Sequence, residues 1–201
     1  MDFKGFDHPD RKLGGGTRSV KVMIAGGFGT GKTTMVGSVS DIKPLTTEET
    51  LTQASAGVDN LIGVADKTET TVSLDFGKIR LNDSLMLYLF GTPGQERFWF
   101  LWNGLFKGAL GAVVLVDTRR LASSFRAIEE MERQNVPFVV ALNIFPDSRH
   151  YPVEEIRDAL DIPPHIPVVA CDARDRASSR DVLVALIRHV KDRFAVALEP
   201  R

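Results

Sequence analysis

The stretch "GGFGTGKTT", residues 26–34, lies directly behind the apolar, β-branched run "SVKVMIA", residues 19–25. Its spacing is Gly26, four residues, Gly31, Lys32, Thr33, which is the pattern G-x-x-x-x-G-K-[ST]. A glycine-rich run alone marks only a turn. Here a strand precedes it and "TTMVGSVS" can open a helix behind it, which is the context a phosphate-binding loop needs. Gly26, Gly27, Phe28, Gly29, Thr30, Gly31, Lys32, Thr33 and Thr34 are therefore the candidate cradle. Gly26 and Gly31 can take backbone angles that let successive N–H groups converge on phosphate oxygens. The helix behind adds the positive end of its dipole. Lys32 is placed to reach β- and γ-phosphates, and the hydroxyl of Thr33 to ligate Mg²⁺. Without an anion, a lysine at a helix start opposes the dipole.

The chain has 201 residues, a formal net charge of −1 and 43% hydrophobic residues, which fits one globular domain. The near-neutral charge gives no electrostatic case for nucleic acid or an anionic membrane. Cys171 is the single cysteine, so no internal disulfide forms, and a reducing cytoplasm is the simplest location. No signal peptide, bilayer-spanning run or lipidation motif is read, so any membrane recruitment is expected through a partner. Residues 1–18 are polar and glycine-rich and read as a mobile tail; 198–201 read as a second tail.

Further strands are expected at "TTVSLDFGKIRL", "SLMLYLFG", "GALGAVVLVD", "VPFVVALNI" and "IPVVAC". Helices are expected at "LASSFRAIEEMERQ", "PVEEIRDAL" and "SSRDVLVALIRHVKDRFAVAL". Alternation of this kind implies an α/β fold, with a mostly parallel central sheet and helices on both faces. Ligands in such sheets bind beyond the carboxyl ends of the strands.

Three loops at those ends carry matching signals: "FGTPGQERF", "LNIFPD" and "ACDARD". With the phosphate loop, in this order, they resemble the Ras superfamily of small GTPases over residues 20 to about 195. The run "GQERFWFLWNGLFKGALGAVVLVD", residues 94–117, is in register with the Rab pattern. "LFGTPGQERFWFLW", "GAVVLVDTRR" and "ACDARD" resemble more closely the bacterial Ras-like GTPases of actinobacterial conservon operons, relatives of the gliding-motility GTPase MglA. The resemblance implies a P-loop NTPase of the small G-protein fold over residues 19–197, with a long insert at about 41–70 before switch I. It implies GTP, GDP and Mg²⁺ as ligands.

It also assigns roles. Gln95 would orient the attacking water and Gly94 sense the γ-phosphate. Thr71, with Thr70 and Thr68 as rivals, would be the switch I threonine and second magnesium ligand. Asn143 and Asp147 would read the base. Cys171, Asp172, Ala173 and Arg174 would form the second base loop, with the N–H of Ala173 on the guanine carbonyl and Cys171 a packed residue. The insert reads as a long mobile loop.

Three departures stand out. Gly91 replaces the magnesium-organising aspartate of D-x-x-G. "NIFP", residues 143–146, replaces N-K-x-D and moves the acid to Asp147. Phe28 takes a glycine's place and should crowd Gln95. No arginine is evident beside the phosphate loop.

Three activities compete: a slow GTPase switch, a nucleotide-binding scaffold that barely hydrolyses, and a nucleotide kinase. The last lacks a lid with an arginine cluster and has no use for "TPGQE". The resemblance implies a roadblock-domain protein and a sensor-kinase-like protein of the same operon as partners, and a pentapeptide-repeat protein as a third. Trp99, Phe100 and Trp102 are the candidate partner surface, as an exposed aromatic patch; the competing reading packs them internally.

Overall fold

The computed structural model describes residues 17–52, 69–146 and 148–198, and only the backbone at 47–52, 69–73, 96–97, 103 and 196–198. Residues 1–16 of the expected N-terminal tail, the middle of the expected insert, Asp147 and residues 199–201 lie outside them; Arg18 and Leu198, read as tail residues, instead open the first strand and end the last helix, because each continues the hydrogen bonding of its element.

Strand β1 spans Arg18–Ala25 and runs into the glycine loop, and helix α1 spans Lys32–Val39. β2 is Leu45–Thr52, β3 Glu69–Asn82 and β4 Leu85–Gly91. A 3₁₀ turn, Glu96–Leu101, leads into the short helix α2, Trp102–Leu105. β5 is Ala109–Asp117, followed by a 3₁₀ turn at Thr118–Ser124 and helix α3 at Phe125–Arg133. β6 (Phe138–Asn143), α4 (Val153–Ala159), β7 (Val168–Cys171) and α5 (Arg176–Leu198) complete the chain.

The seven strands form one sheet in the order β2-β3-β4-β1-β5-β6-β7. β1 is parallel to β4 and β5, and β5, β6 and β7 continue in parallel; β3 is antiparallel to both its neighbours. The fold is the α/β sheet that the alternation of elements implies. One strand is additional: part of the expected insert, Leu45–Thr52, pairs with β3 from Leu45 opposite Phe76 to Thr52 opposite Glu69. "LTTEETLT" is polar, yet its threonines favour extended backbone, and an edge strand needs little apolar surface.

Side chains of a strand alternate between faces. Val22 and Ile24 pack with Met35, Val36 and Val39 of α1 and with Val182, Leu186 and Val190 of α5. Met23 and Ala25 face the other way, toward Trp99, Trp102, Ile128, Met131 and Ile156. Val113, Val114, Leu115 and Val116 are fully buried, as a strand covered on both faces requires. The two layers hold the carboxyl ends of β1, β4, β5 and β6 at one edge.

Candidate functional site

The loop after β1 is built on positive backbone angles: φ is +140° at Gly26, +73° at Gly29 and +101° at Gly31. Side-chain-bearing residues resist these angles. The ammonium of Lys32 folds into the loop and donates to the carbonyls of Gly26 (2.9 Å) and Gly27 (2.6 Å). Burial pushes its pKa down to about 8, and the Asp75 charge partly opposes that shift. A cation half-stripped of water inside a ring of backbone dipoles is poised for an anion.

Gly94 rests on this loop. A β-carbon there would stand 2.6 Å from Nζ of Lys32 and 3.0 Å from Cα of Phe28. "TPGQ" therefore meets the cradle at the lysine, where the resemblance places a γ-phosphate sensor. Gln95 is exposed at the rim. Phe28, Gly29, Lys32, Thr33, Asp75, Thr92, Gln95 and Phe145 line one cleft of about 410 Å³. Phe28 is 66% exposed, so its ring stands at the mouth of the cleft and is not wedged inside.

A carboxylate that the sequence reading missed stands beside Gly91. Asp75 lies on β3 directly opposite Gly91 on β4. Its Oδ2 accepts a 2.6 Å hydrogen bond from the hydroxyl of Thr33, and its side chain is buried. A β-carbon at Gly91 would lie 3.0 Å from Oδ2 of Asp75. The carboxylate thus fills the space that a side chain at residue 91 would take. A carboxylate therefore stands beside the Thr33 hydroxyl even though residue 91 is glycine. The signal was present in "LDFG", but only strand register shows that it faces Gly91.

Thr92 adds a second polar group. It is 3% exposed, lines the cleft, and its hydroxyl has no hydrogen-bond partner among the described residues. A magnesium ion takes oxygen ligands, with one or two carboxylates beside phosphate and water. Thr33, Asp75 and Thr92 fit that set. Thr71 lies four residues before Asp75 on β3, about 13 Å along an extended strand. Its backbone pairs with Thr50, and its side chain lies outside the described residues.

On the base side, Asn143 is a brace. Its amide donates to the carbonyl of Thr30 (2.9 Å), and its Oδ1 accepts from the N–H of Ala173 (3.0 Å). The N–H expected to meet a guanine carbonyl is therefore already engaged with Asn143. Asp172 is held by Arg174 through its guanidinium and backbone N–H, which keeps its carboxyl down at about 2. Cys171 is buried, with its thiol pushed up to about 12, so it packs and does not react.

The aromatic patch is overturned. Trp102 is fully buried and Trp99 is 9% exposed; their ring centroids lie 5.2 Å apart with the planes tilted by 32°, and of the three only Phe100 faces out, at 56%. In a 3₁₀ turn residues three apart eclipse, so Trp99 and Trp102 share one face, and that face meets the sheet. The indole N–H of Trp102 donates to the carbonyl of Pro93, which ties "TPGQ" to the core.

A family model described as "conserved hypothetical ATP binding protein" matches residues 24–193. The chain belongs to this family. Other proteins share parts of its sequence. An uncharacterised protein of Methanocaldococcus jannaschii is 26% identical over 126 residues, 62% of this chain and 69% of that protein. The Ras-related protein Rab-11C of Dictyostelium discoideum is 26% identical over 87 residues, 39% of each chain. Among solved structures, the G domain of the T. maritima FeoB iron transporter superposes with a TM-score of 0.59 at 17% identity, covering 86% of this chain and 99% of that one. The FeoB G domain of Methanococcus jannaschii gives 0.58 at 14% identity, covering 87% and 99%. The family member described here has the P-loop NTPase fold of a small G domain. No helix among its described residues is long and apolar enough to cross a membrane.

Proposed function

We propose that this chain is a guanine-nucleotide switch that binds GTP and GDP, hydrolyses GTP slowly, and controls partner binding in a bacterial signalling system of the conservon, MglA-like type. The observation that carries the reading is the meeting of Lys32, Gly94, Thr33 and Asp75 around one cleft. Backbone N–H groups and Lys32 would bind the phosphates, and Gly94 would register the terminal one. Gln95 would orient water. Thr33, Asp75 and Thr92 would hold Mg²⁺, which supplies charge neutralisation to the phosphates. Asn143 acts by bracing the phosphate loop against the base loop, and base selection then falls to Asp147. The roadblock-domain and sensor-kinase-like proteins are the proposed partners, reached from the cytoplasm.

Hydrolysis is expected at or below about 10⁻⁴ per second, the scale of an unassisted small GTPase. Releasing and identifying the nucleotide bound to purified protein tests the first half of this reading. A single-turnover assay tests the second: phosphate released within hours supports the switch.

A scaffold with little hydrolysis is the second reading. It rests on Phe28, whose ring stands at the mouth of the cleft that Gln95 also lines. Intact GTP after a day, and faster turnover in Phe28→Gly, would decide for crowding.

A further inference from the structure

A second group of charges touches the phosphate loop from outside the cleft. Asp117 ends β5 and is fully buried. Its Oδ1 accepts from Nε of Arg119 (2.9 Å) and from the backbone N–H of Arg119 (3.0 Å). Its Oδ2 accepts from Nη2 of Arg119 (3.0 Å) and Nη2 of Arg120 (3.2 Å). Arg119 turns over the ring of Phe145, 3.8 Å from its centroid. Arg120 turns the other way. Its Nη2 also donates to the carbonyl of Phe28 at 3.1 Å, across 92 positions of sequence.

The backbone is bent to allow this. Arg120 has φ −145° and ψ 54°, a break inside the Thr118–Ser124 turn. The same turn backs the loop elsewhere: a β-carbon at Gly27 would stand 2.9 Å from Oγ of Ser123, and one at Gly29 would stand 3.1 Å from Nη2 of Arg120. At Gly27 the Oγ, Cβ and carbonyl of Ser123 crowd any side chain, and at Gly29 the positive φ of +73° disfavours one.

A trans peptide carries its C=O and N–H on opposite sides. Holding the Phe28 carbonyl against Arg120 therefore points the N–H of Gly29 away from Arg120. We propose that Asp117 and Arg120 form a clamp that sets the peptide between Phe28 and Gly29, so that the N–H of Gly29 is presented to the β- and γ-phosphate oxygens of a bound nucleotide. Arg120 is a positioning residue: it acts through the peptide. Asp117 fixes the guanidinium, and the guanidinium fixes the carbonyl. The proposal rests on the nucleotide-binding reading above and adds to it a residue from a distant turn.

The test compares wild type, Arg120→Ala and Arg120→Lys, with affinities for GTP, GDP and GMP read by displacement of fluorescently labelled GDP. Thermal unfolding and the amide spectrum of ¹⁵N-glycine-labelled protein accompany the titrations. Arg120→Ala should lose about tenfold or more in GTP and GDP affinity, as for a lost hydrogen bond to a charged group, with GMP affinity and Tm held. Arg120→Lys, which keeps the charge and a donor group but loses the planar guanidinium fork, should recover part of the loss. The Gly29 amide should shift strongly on GDP binding in wild type and weakly in Arg120→Ala. Unchanged GTP and GDP affinity in Arg120→Ala overturns the clamp. So does an equal loss for GMP together with a fallen Tm, which marks a structural role. A wild type that binds neither labelled GDP nor labelled ADP removes the nucleotide reading and the clamp with it.

Discussion

Oγ1 of Thr33, the last residue of the phosphate-loop motif, donates a 2.6 Å hydrogen bond to Oδ2 of Asp75, which lies across the strand pair from Gly91. A carboxylate supplied by the neighbouring strand thus stands where the Ras-like pattern draws it from residue 91.

The relationship predicts the outcome of a swap. Asp75→Gly should weaken Mg²⁺ retention and speed GDP release, by about 10–100-fold if it acts as an outer-shell carboxylate. Gly91→Asp alone should lower Tm, because its β-carbon would meet Asp75 at 3.0 Å. The double variant Asp75→Gly with Gly91→Asp opens that space and should recover metal dependence. Mg²⁺ titration of GDP release reads all three; a double variant no better than Asp75→Gly would show that the carboxylate's position is not interchangeable.

Lys32 sets a pH dependence. Its folded pKa, about 8, lies below the ordinary value of 10.5. Between these the unfolded chain binds more protons, so stability of the ligand-free protein should rise with pH over that window. Nucleotide binding should show the opposite sign. Phosphate requires the protonated ammonium, so affinity should fall by about tenfold per unit above pH 8. Calorimetry in buffers of different ionisation enthalpy should record proton uptake at pH 9 and none at pH 6.5.

Asn143→Ala would leave the carbonyl of Thr30 and the N–H of Ala173 without their partner inside a buried brace. A cost of about 1–3 kcal/mol is expected in urea unfolding. Base preference should depend instead on Asp147. GDP is expected to bind wild type more tightly than ADP, and Asp147→Ala to narrow the gap. Equal GDP and ADP affinities in wild type would make the family's description as ATP-binding the better guide to the base.

The aromatic segment separates core from surface. Trp102→Ala removes a fully buried ring and its bond to Pro93, and should cost about 3–5 kcal/mol. Phe100→Ala, at an exposed position, should stay within about 0.5 kcal/mol of wild type. If the roadblock-domain partner docks here, Phe100→Ala is the variant that loses it, as pull-down with the purified partner would show.

The phosphate loop, the alternation of the strands and helices other than β2, and the edge of the sheet where the site lies were all legible in the residues. Each of these is a local matter: glycine spacing, apolar runs and period are written in contiguous residues. The sequence also located Gly94 and Gln95, because "TPGQ" sits at a strand end. Tertiary structure alone decided what faces what. Asp75 became a partner of Thr33 through the β3–β4 register, and a shift of one residue would have pointed it to the other face. Trp99 and Trp102 turned inward because a 3₁₀ turn eclipses them and the sheet beneath was open to that face. Arg120 reached Phe28 because a backbone break after β5 aims it there. Asn143 spent its amide on Thr30 and Ala173, for buried polar groups take the nearest partner that folding brings to them.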